Sequence, residues 1–161
     1  MPTYKGFYRV KNPKKYDGDF TNVVYRSHWE MQVFRWCDMN DQVLKWSSEE
    51  IVVPYWLPLD KKYHRYFVDL KFTTTEGTFL VEIKPKSQTL PPKKPSRQTK
   101  KYLEESRTYV KNVCKWKAAE NYAKDRNWKF VIWTEDTIKS MGIRLLRSEE
   151  HTSELQSHHD L

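Results

Sequence analysis

The sequence predicts an α/β domain in which a mixed β-sheet is flanked by helices. Three observations support this class: two long segments with helical periodicity, several short strand-like runs between them, and an apolar run followed by a further helix start. The order helix, strands, helix, strand, helix is typical of a sheet with helices packed on its faces. With 161 residues, the chain is long enough for one such core.

The N-terminal part divides into an irregular segment and a helix. Residues 1–20 are rich in Lys, Tyr, Pro and Gly without clear periodicity, and they predict a basic arm. Trp29, Val33 and Trp36 recur at helical spacing and predict a helix from about residue 25 to residue 39. Core packing explains the aromatic residues of this region better than stacking on nucleobases does.

Four strand-like runs follow. QVLKW (42–46) and EEIVVPYW (49–56) predict two short strands, the second ended by Pro54. Two longer runs, about 64–73 and 78–84, flank Thr-Thr-Glu-Gly and predict a hairpin.

The C-terminal half alternates a loop with regular elements. The Pro- and Lys-rich stretch 85–101 predicts a loop without regular structure, and 102–126 predicts a helix. WKFVIWT (128–134) predicts a buried strand. The next helix has Thr134 or Asp136 as a candidate N-cap.

Composition narrows the class of protein. The formal charge of +8 and the pI near 9.4 favour a polyanionic partner such as nucleic acid. Cys37 and Cys114 form no CxxC pair, so neither a zinc site nor a disulfide framework is indicated. There is no apolar run of membrane-spanning length and no apolar core of a secretion signal at the N-terminus. These features predict a reduced intracellular protein without a membrane partner.

The last residues differ from the rest of the chain. Residues 147–161, RSEEHTSELQSHHDL, contain no aromatic residue and carry four acidic side chains. RSEEHTSELQSH resembles the conceptual translation of a sequencing-library adapter. We therefore expect an artefactual, disordered tail, with the true C-terminus lost after Leu146, and exclude it from fold reasoning. A natural acidic tail is the alternative.

Three charged residues within the predicted hairpin require an explanation. Glu82 and Lys84 project to the same side of their strand, and Asp69 on the preceding strand can lie near Glu82. Two adjacent carboxylates repel each other, and a shared hard cation such as Mg²⁺ relieves this, with the carbonyl of Ile83 as a further oxygen ligand. Taken alone, however, such a pattern is more simply a cross-strand ion pair on a solvated face.

The wider sequence favours the metal site. Asp-x12-Glu-x-Lys resembles the motif of the PD-(D/E)xK nuclease superfamily. The segments YKGFYRVKNPKKY, YRSHWE, EEIVVPY, HRYFVDL, TFLVEIKPKSQ, KWKAAENYA and FVIWTE together resemble the head completion nucleases of T-even-like myoviruses. The resemblance covers roughly residues 3–140 in the family's order. It implies a restriction-endonuclease-like core, which we place within a nuclease domain at 21–146.

The resemblance also implies roles for individual residues. Asp69 and Glu82 are expected to bind Mg²⁺, with Mn²⁺ as an alternative, and Lys84 is expected to be the catalytic lysine. Glu30 matches the helical acid, which reaches the metal through water or orients its ligands. One departure is Val68, where the superfamily motif has proline.

Basic residues near these positions are candidates to contact DNA. For Arg26 an ion pair with Glu30 is an equal alternative, for His64 a plain surface histidine is favoured, and for Lys115 a solvated helix face is the default. The candidates are Arg26, His64, Arg65, Lys86, Lys93, Lys94 and Lys115.

Taken together, these features predict an Mg²⁺-dependent endodeoxyribonuclease that acts on double-stranded DNA. The resemblance implies processing of packaged DNA ends before head–tail joining, contact with connector proteins, and a location in the host cytoplasm during assembly or in the virion. The alternative is a non-catalytic completion or connector protein that binds DNA. A transposon-type or restriction-type nuclease would need a fused specificity domain, for which this chain leaves no room.

Overall fold

A computed structural model describes residues 3–145, and the predicted tail at 147–161 lies outside this range. The strands are β1 (Thr3–Phe7), β2 (Val24–Ser27), β3 (Lys45–Ser47), β4 (Val52–Leu57), β5 (Lys62–Phe67), β6 (Leu70–Thr74), β7 (Gly77–Ile83) and β8 (Lys129–Trp133). The α-helices are α1 (His28–Met39), α2 (Lys100–Asp125) and α3 (Glu135–Ser140), and short 3-10 helices span Pro13–Lys15 and Lys86–Thr89.

A four-stranded mixed sheet forms the centre of the fold, in the order β3-β6-β7-β8. The pairs β3–β6 and β6–β7 are antiparallel, whereas β8 runs parallel to β7. A parallel neighbour requires a crossover connection, and α2 supplies it between β7 and β8. The predicted mixed sheet flanked by helices is therefore confirmed.

The two faces of the sheet bury different apolar clusters. Val81 on β7 packs in a cluster with Phe34 of α1 and Ile138 of α3. Leu80, the next residue along the strand, packs in a second cluster with Ala119 of α2 and with the β4–β5 hairpin. Because side chains alternate along a strand, every second residue after Leu80 points to the α2 side of the sheet.

The N-terminal segment is part of the folded core rather than a separate arm. Its strand β1 pairs antiparallel with β2, although the sequence predicts no strand there. Tyr8 donates a hydrogen bond to Asp38 at 2.8 Å, and its ring meets the Trp46 ring edge-on at 5.8 Å. The buried ring of Tyr16 packs on Trp46 in the same way at 4.8 Å. These aromatic side chains fill the core, as the sequence favours.

Two predicted element boundaries change in the structure. The predicted helix from residue 25 begins instead at His28, because the preceding residues form β2. The hydroxyl of Ser27 caps this helix by accepting the Glu30 N–H at 3.2 Å. Strand β4 does not end at Pro54 but continues to Leu57. Proline is tolerated there because β4 belongs to a two-stranded hairpin rather than to a sheet interior.

The predicted strand at 64–73 is two strands, β5 and β6, separated at Val68–Asp69. The loop at 85–101 is largely irregular but contains the 3-10 turn at Lys86–Thr89. Thr134 stands at the N-cap position of α3, although its side chain makes no capping hydrogen bond. Among the described residues, no helix has both the length and the apolar character needed to cross a bilayer.

Candidate active site

Asp69 lies at the break between β5 and β6. The Val68 N–H donates to the Ile51 carbonyl at 3.0 Å, and the Val68 carbonyl accepts the Glu49 N–H at 3.1 Å. These bonds tie the chain to the segment before β4 instead of to β7. The Asp69 Oδ2 atom accepts the backbone N–H of Ile83 at 2.8 Å. The aspartate side chain thus replaces a strand carbonyl as hydrogen-bond acceptor, which fixes the orientation of its carboxylate.

Glu82 lies near the end of β7, on the face that carries Leu80. Its carboxylate is buried, and its Oε2 atom accepts a short hydrogen bond from the Tyr66 hydroxyl. The Lys84 ammonium lies 3.8 Å from the Glu82 Oε1 atom. The two-residue spacing places both charges on the same side of the sheet, as strand alternation requires.

These side chains open into one cleft with a volume of about 470 Å³. The cleft lies on the α2 side of the sheet, between β7 and the β4–β5 hairpin. Its lining residues are Arg26, Glu49, Arg65, Tyr66, Phe67, Asp69, Glu82, Lys84 and Lys115. The structure thus brings Asp69, Glu82 and Lys84 together, whereas Glu30 is not among the lining residues.

Burial and repulsion from neighbouring carboxylates oppose the ionisation of Asp69 and Glu30. Burial, the adjacent Glu82 carboxylate and the Glu30 carboxylate raise the pKa of Asp69 well above its usual value. Burial also raises the pKa of Glu30 to about 7, although the Arg26 N–H, which donates to it at 3.4 Å, opposes this change. Glu49 and Glu82 add to the increase. A cation held between Asp69 and Glu82 would relieve this repulsion.

Asp69 and Glu82 fit a divalent cation as a pair of oxygen ligands. Mg²⁺ is usually held by one or two carboxylates, with waters and substrate phosphates in the other positions. Within residues 3–145, no group of three or more His, Cys, Asp or Glu side chains is arranged as a metal site, so this pair would be the protein's contribution. The Tyr66 hydroxyl and the Ile83 N–H each hold one carboxylate oxygen, and such contacts orient metal ligands.

Comparison with known proteins identifies the family. The family model described as the TnsA-like endonuclease N-terminal domain matches residues 40–135, a range that includes Asp69, Glu82 and Lys84. The head completion nuclease of Enterobacteria phage T4 is 40% identical, over 88% of this chain and 97% of that protein. This chain belongs to the head completion nuclease family. The restriction-endonuclease-like core predicted from the sequence is thereby confirmed.

The departure at Val68 from the superfamily motif has a structural reason in this member of the family. The Val68 side chain is buried in the cluster between α2 and the β4–β5 hairpin. Its N–H is bonded to Ile51, as described above, and proline has no N–H to donate. Valine at this position therefore preserves the hydrogen bond that holds the break before Asp69.

Three of the seven predicted DNA-contacting residues line the cleft. The Arg26 guanidinium forms two hydrogen bonds to the Glu49 carboxylate, at 2.8 and 3.2 Å. This pair replaces the alternative in which Arg26 pairs with Glu30. Lys115 of α2 lies 5.4 Å from the centre of the Tyr66 ring, and burial lowers its pKa. Arg65 is exposed at the cleft's edge.

The other four predicted DNA contacts do not line the cleft. His64 bonds to Asp60 at 2.7 Å and stacks on the Tyr55 ring, which agrees with the surface-histidine interpretation. Lys86 lies 3.6 Å from Asp136. Lys93 and Lys94 are exposed in the loop before α2. These lysines stay predictions as more distant phosphate contacts.

The sequence interpretation missed Glu49, Tyr66 and Phe67 as cleft residues. Glu49 has a positive φ of 56°, which is uncommon outside glycine and holds its side chain toward Arg26. Tyr66 precedes Asp69 by three residues within the segment HRYFVDL. This closeness in the sequence was the only sign that Tyr66 could belong to the cleft. Its contact with Glu82 depends on the break at Val68, which local periodicity does not reveal.

Proposed function

We propose that this protein is a metal-dependent DNA endonuclease that acts in phage head completion. Mg²⁺ is the expected cofactor, with Mn²⁺ as an alternative, and double-stranded DNA is the expected substrate. The observation that carries the proposal is the meeting of Asp69, Glu82 and Lys84 in one cleft that also contains Arg26 and Lys115. Paired carboxylates beside several cations suit the hydrolysis of a phosphodiester, whose transition state carries spread negative charge.

The two carboxylates would hold the cation while the rest of the cleft holds the substrate. A divalent cation bound there would polarise the scissile phosphate. It would also lower the pKa of a bound water, which could then act as the nucleophile at neutral pH. Asp69 is kept in place by Ile83, and Glu82 by Tyr66, so neither carboxylate needs to reorganise. Preorganised groups of this kind lower the activation barrier because their orientation is fixed by the fold.

Lys84 is the group best placed to act on the reacting atoms. Its ammonium lies 3.8 Å from Glu82 and is half-buried at the cleft wall. From there its N–H groups can hold the attacking water and offset charge on the phosphate. Hydrolysis forms a bond from the water oxygen to phosphorus and breaks the bond to one deoxyribose oxygen, which takes up a proton.

The remaining cations would hold the DNA backbone in the cleft. Lys115 and Arg65 lie on opposite elements, α2 and β5, and can contact phosphates on either side of the scissile bond. Arg26 is paired with Glu49 and would have to exchange this partner for a phosphate. Glu30 lies behind the cleft and would act through water or by orienting its neighbours.

The biological role rests on the name of the T4 relative, head completion nuclease. We place the activity at the processing of packaged DNA ends before head–tail joining, in the host cytoplasm or within the assembling virion. Connector proteins are the expected partners. The non-catalytic alternative is not favoured, because both carboxylates and the lysine are present and converge.

The direct test is a cleavage assay on linear and circular duplex DNA with Mg²⁺, with Mn²⁺ and in EDTA. We expect the wild type to cut both substrates only with metal, and Asp69→Ala and Glu82→Ala to be inactive. Glu76→Ala, at an exposed turn, is the matched control for loss of a carboxylate. If the wild type and both cleft variants leave DNA equally intact with every metal, the nuclease proposal is wrong.

A further inference from the structure

The β4–β5 hairpin has one face that is turned away from the core. Val53, Tyr55 and Leu57 of β4 point into the cluster with α2. The alternate residues form the other side, which we call the outer hairpin face. Its cross-strand pairs are Val52 with Phe67, Pro54 with Arg65, and Trp56 with Tyr63.

Large aromatic side chains on this face are accessible to solvent. Tyr63 is 74% exposed, Trp56 46% and Phe67 44%. Trp56 and Tyr63 meet edge-to-face with ring centres 5.0 Å apart, so these two exposed rings form one aromatic cluster. Exposed aromatic groups of this size at adjacent positions usually mark a binding surface.

The outer hairpin face is continuous with the proposed active site. Phe67 and Arg65 belong to this face and also line the cleft that contains Asp69 and Glu82. The Arg65 guanidinium lies 5.5 Å from the centre of the Phe67 ring. A strand that leaves the cleft along β5 would therefore pass next to Tyr63 and Trp56.

The charge of the hairpin matches a polyanion. Lys61 lies at its turn end, two residues before Tyr63, and Arg65 lies on the outer face near its other end, whereas Lys62 pairs with Leu57 and belongs to the inner side. Lys61 and Arg65 are exposed, and among the described residues neither forms an ion pair with an acidic side chain. Exposed aromatic rings interleaved with free cations are the features that bind single-stranded nucleic acid.

We propose that the outer hairpin face binds unpaired nucleobases of DNA that extends from the cleft. The inference rests on the proposed function, and it specifies the substrate as DNA with a single-stranded segment beside the cleaved duplex. Trp56 and Tyr63 stack on the bases, while Arg65 on the same face and Lys61 at the turn contact phosphates. Uninterrupted duplex cannot use this face in the same way, because its base faces are stacked on each other.

The test compares binding of blunt duplex with binding of the same duplex carrying a single-stranded tail. Fluorescence anisotropy in EDTA measures affinity without cleavage. Wild type should bind the tailed DNA more tightly. Trp56→Ala and Tyr63→Ala should each weaken binding of tailed DNA about tenfold, with blunt-duplex affinity changed less than about twofold. Trp56→Phe should retain most of the preference. Phe20→Ala, which removes a 45% exposed aromatic side chain that lines neither the cleft nor the outer hairpin face, should change neither affinity.

Several results would overturn the inference. Equal wild-type affinity for blunt and tailed DNA would do so, as would an equal decrease for both DNAs in the aromatic variants. If these variants bind DNA normally but turn a dimer into a monomer by light scattering, the face is a contact between copies of the chain. Circular dichroism and thermal unfolding identify variants that lose binding only because they unfold.

The failure of this inference can be distinguished from failure of the proposed function. A wild type that cuts DNA in a metal-dependent manner but shows no tail preference would refute only the role of the hairpin. A wild type that cuts no DNA but prefers tailed DNA through Trp56 and Tyr63 would refute the nuclease and support base binding by this face. Asp69→Ala provides the cleavage-defective reference in both cases.

Discussion

Replacing Glu30 with Gln should stabilise the protein at alkaline pH. The Glu30 side chain is buried, and its pKa is raised from 4.5 to about 7. Between these pH values the unfolded chain has lost the proton while the folded protein keeps it. The stability of the wild type therefore falls as pH rises through this window, and the full penalty is present above pH 7.

The size of the effect follows from the pKa difference. It corresponds to about 3 kcal/mol of folding free energy in the absence of metal. Gln keeps an oxygen that can accept the Arg26 N–H, now 3.4 Å from the Glu30 carboxylate, and it removes the charge. We therefore expect Glu30→Gln to be about 3 kcal/mol more stable above pH 7, with the gain disappearing toward pH 4.5.

Urea unfolding in EDTA at about pH 4, 6 and 8 measures this difference directly. Glu76→Gln, at an exposed turn, controls for the loss of one negative charge from the surface. A gain for Glu30→Gln that is the same at every pH would refute the ionisation argument. A loss of stability at alkaline pH would show that the charged carboxylate is favoured by its surroundings.

Three further substitutions test the cleft. Lys84→Ala should lower the cleavage rate at least about a hundredfold, with little change in DNA affinity in EDTA. If the cleavage rate and the DNA affinity fall by the same factor, Lys84 binds DNA and does not act on the reacting atoms. Tyr66→Phe removes the hydroxyl that donates a hydrogen bond to Glu82, and it should weaken metal affinity about tenfold or more. Calorimetry measures this affinity. Unchanged affinity would contradict that role. Val68→Pro removes the bond to Ile51 and should destabilise the protein by about 1–3 kcal/mol in urea. A neutral result would mean that the break before Asp69 does not need this bond.

Local sequence patterns were sufficient for the centre of the fold. The helix predicted at 102–126 corresponds to α2, which begins two residues earlier and ends one residue earlier, and the apolar run at 128–134 contains β8. The charges of Glu82 and Lys84 share a face because alternation along β7 is a local property. A short turn also pairs β6 with β7, so the approach of Asp69 to Glu82 could be inferred.

Long-range hydrogen bonds determine what the sequence left open. Strand β1 exists because it pairs with β2, about twenty residues further along the chain. The break between β5 and β6 depends on bonds from Val68 to Glu49 and Ile51, which lie on another segment. Periodicity within one segment carries no information about such partners, so the two strands were predicted as one.

The candidate site likewise combines residues that the sequence predicts with residues that only long-range contacts bring into the cleft. The proximity of Asp69, Glu82 and Lys84 could be inferred from residue type and spacing, whereas their interpretation as a metal site required the family resemblance. Glu49 and Tyr66 enter the cleft through the rearranged β5–β6 connection. The fit of Arg26 to Glu49 rather than to Glu30 likewise depends on tertiary structure, since the helical spacing alone favours the nearer acid.

The bond from the Ile83 N–H to Asp69 has a consequence for how members of this family diverge. Asp69 satisfies a donor at the end of a central strand, so its loss weakens the fold even where cleavage is not required. Lys84 has no comparable hydrogen-bonding role in the sheet, whereas Glu82 accepts a hydrogen bond from the buried Tyr66 hydroxyl. In a lineage that abandons cleavage, we therefore expect substitutions to accumulate first at position 84, while position 69 keeps an oxygen-bearing side chain.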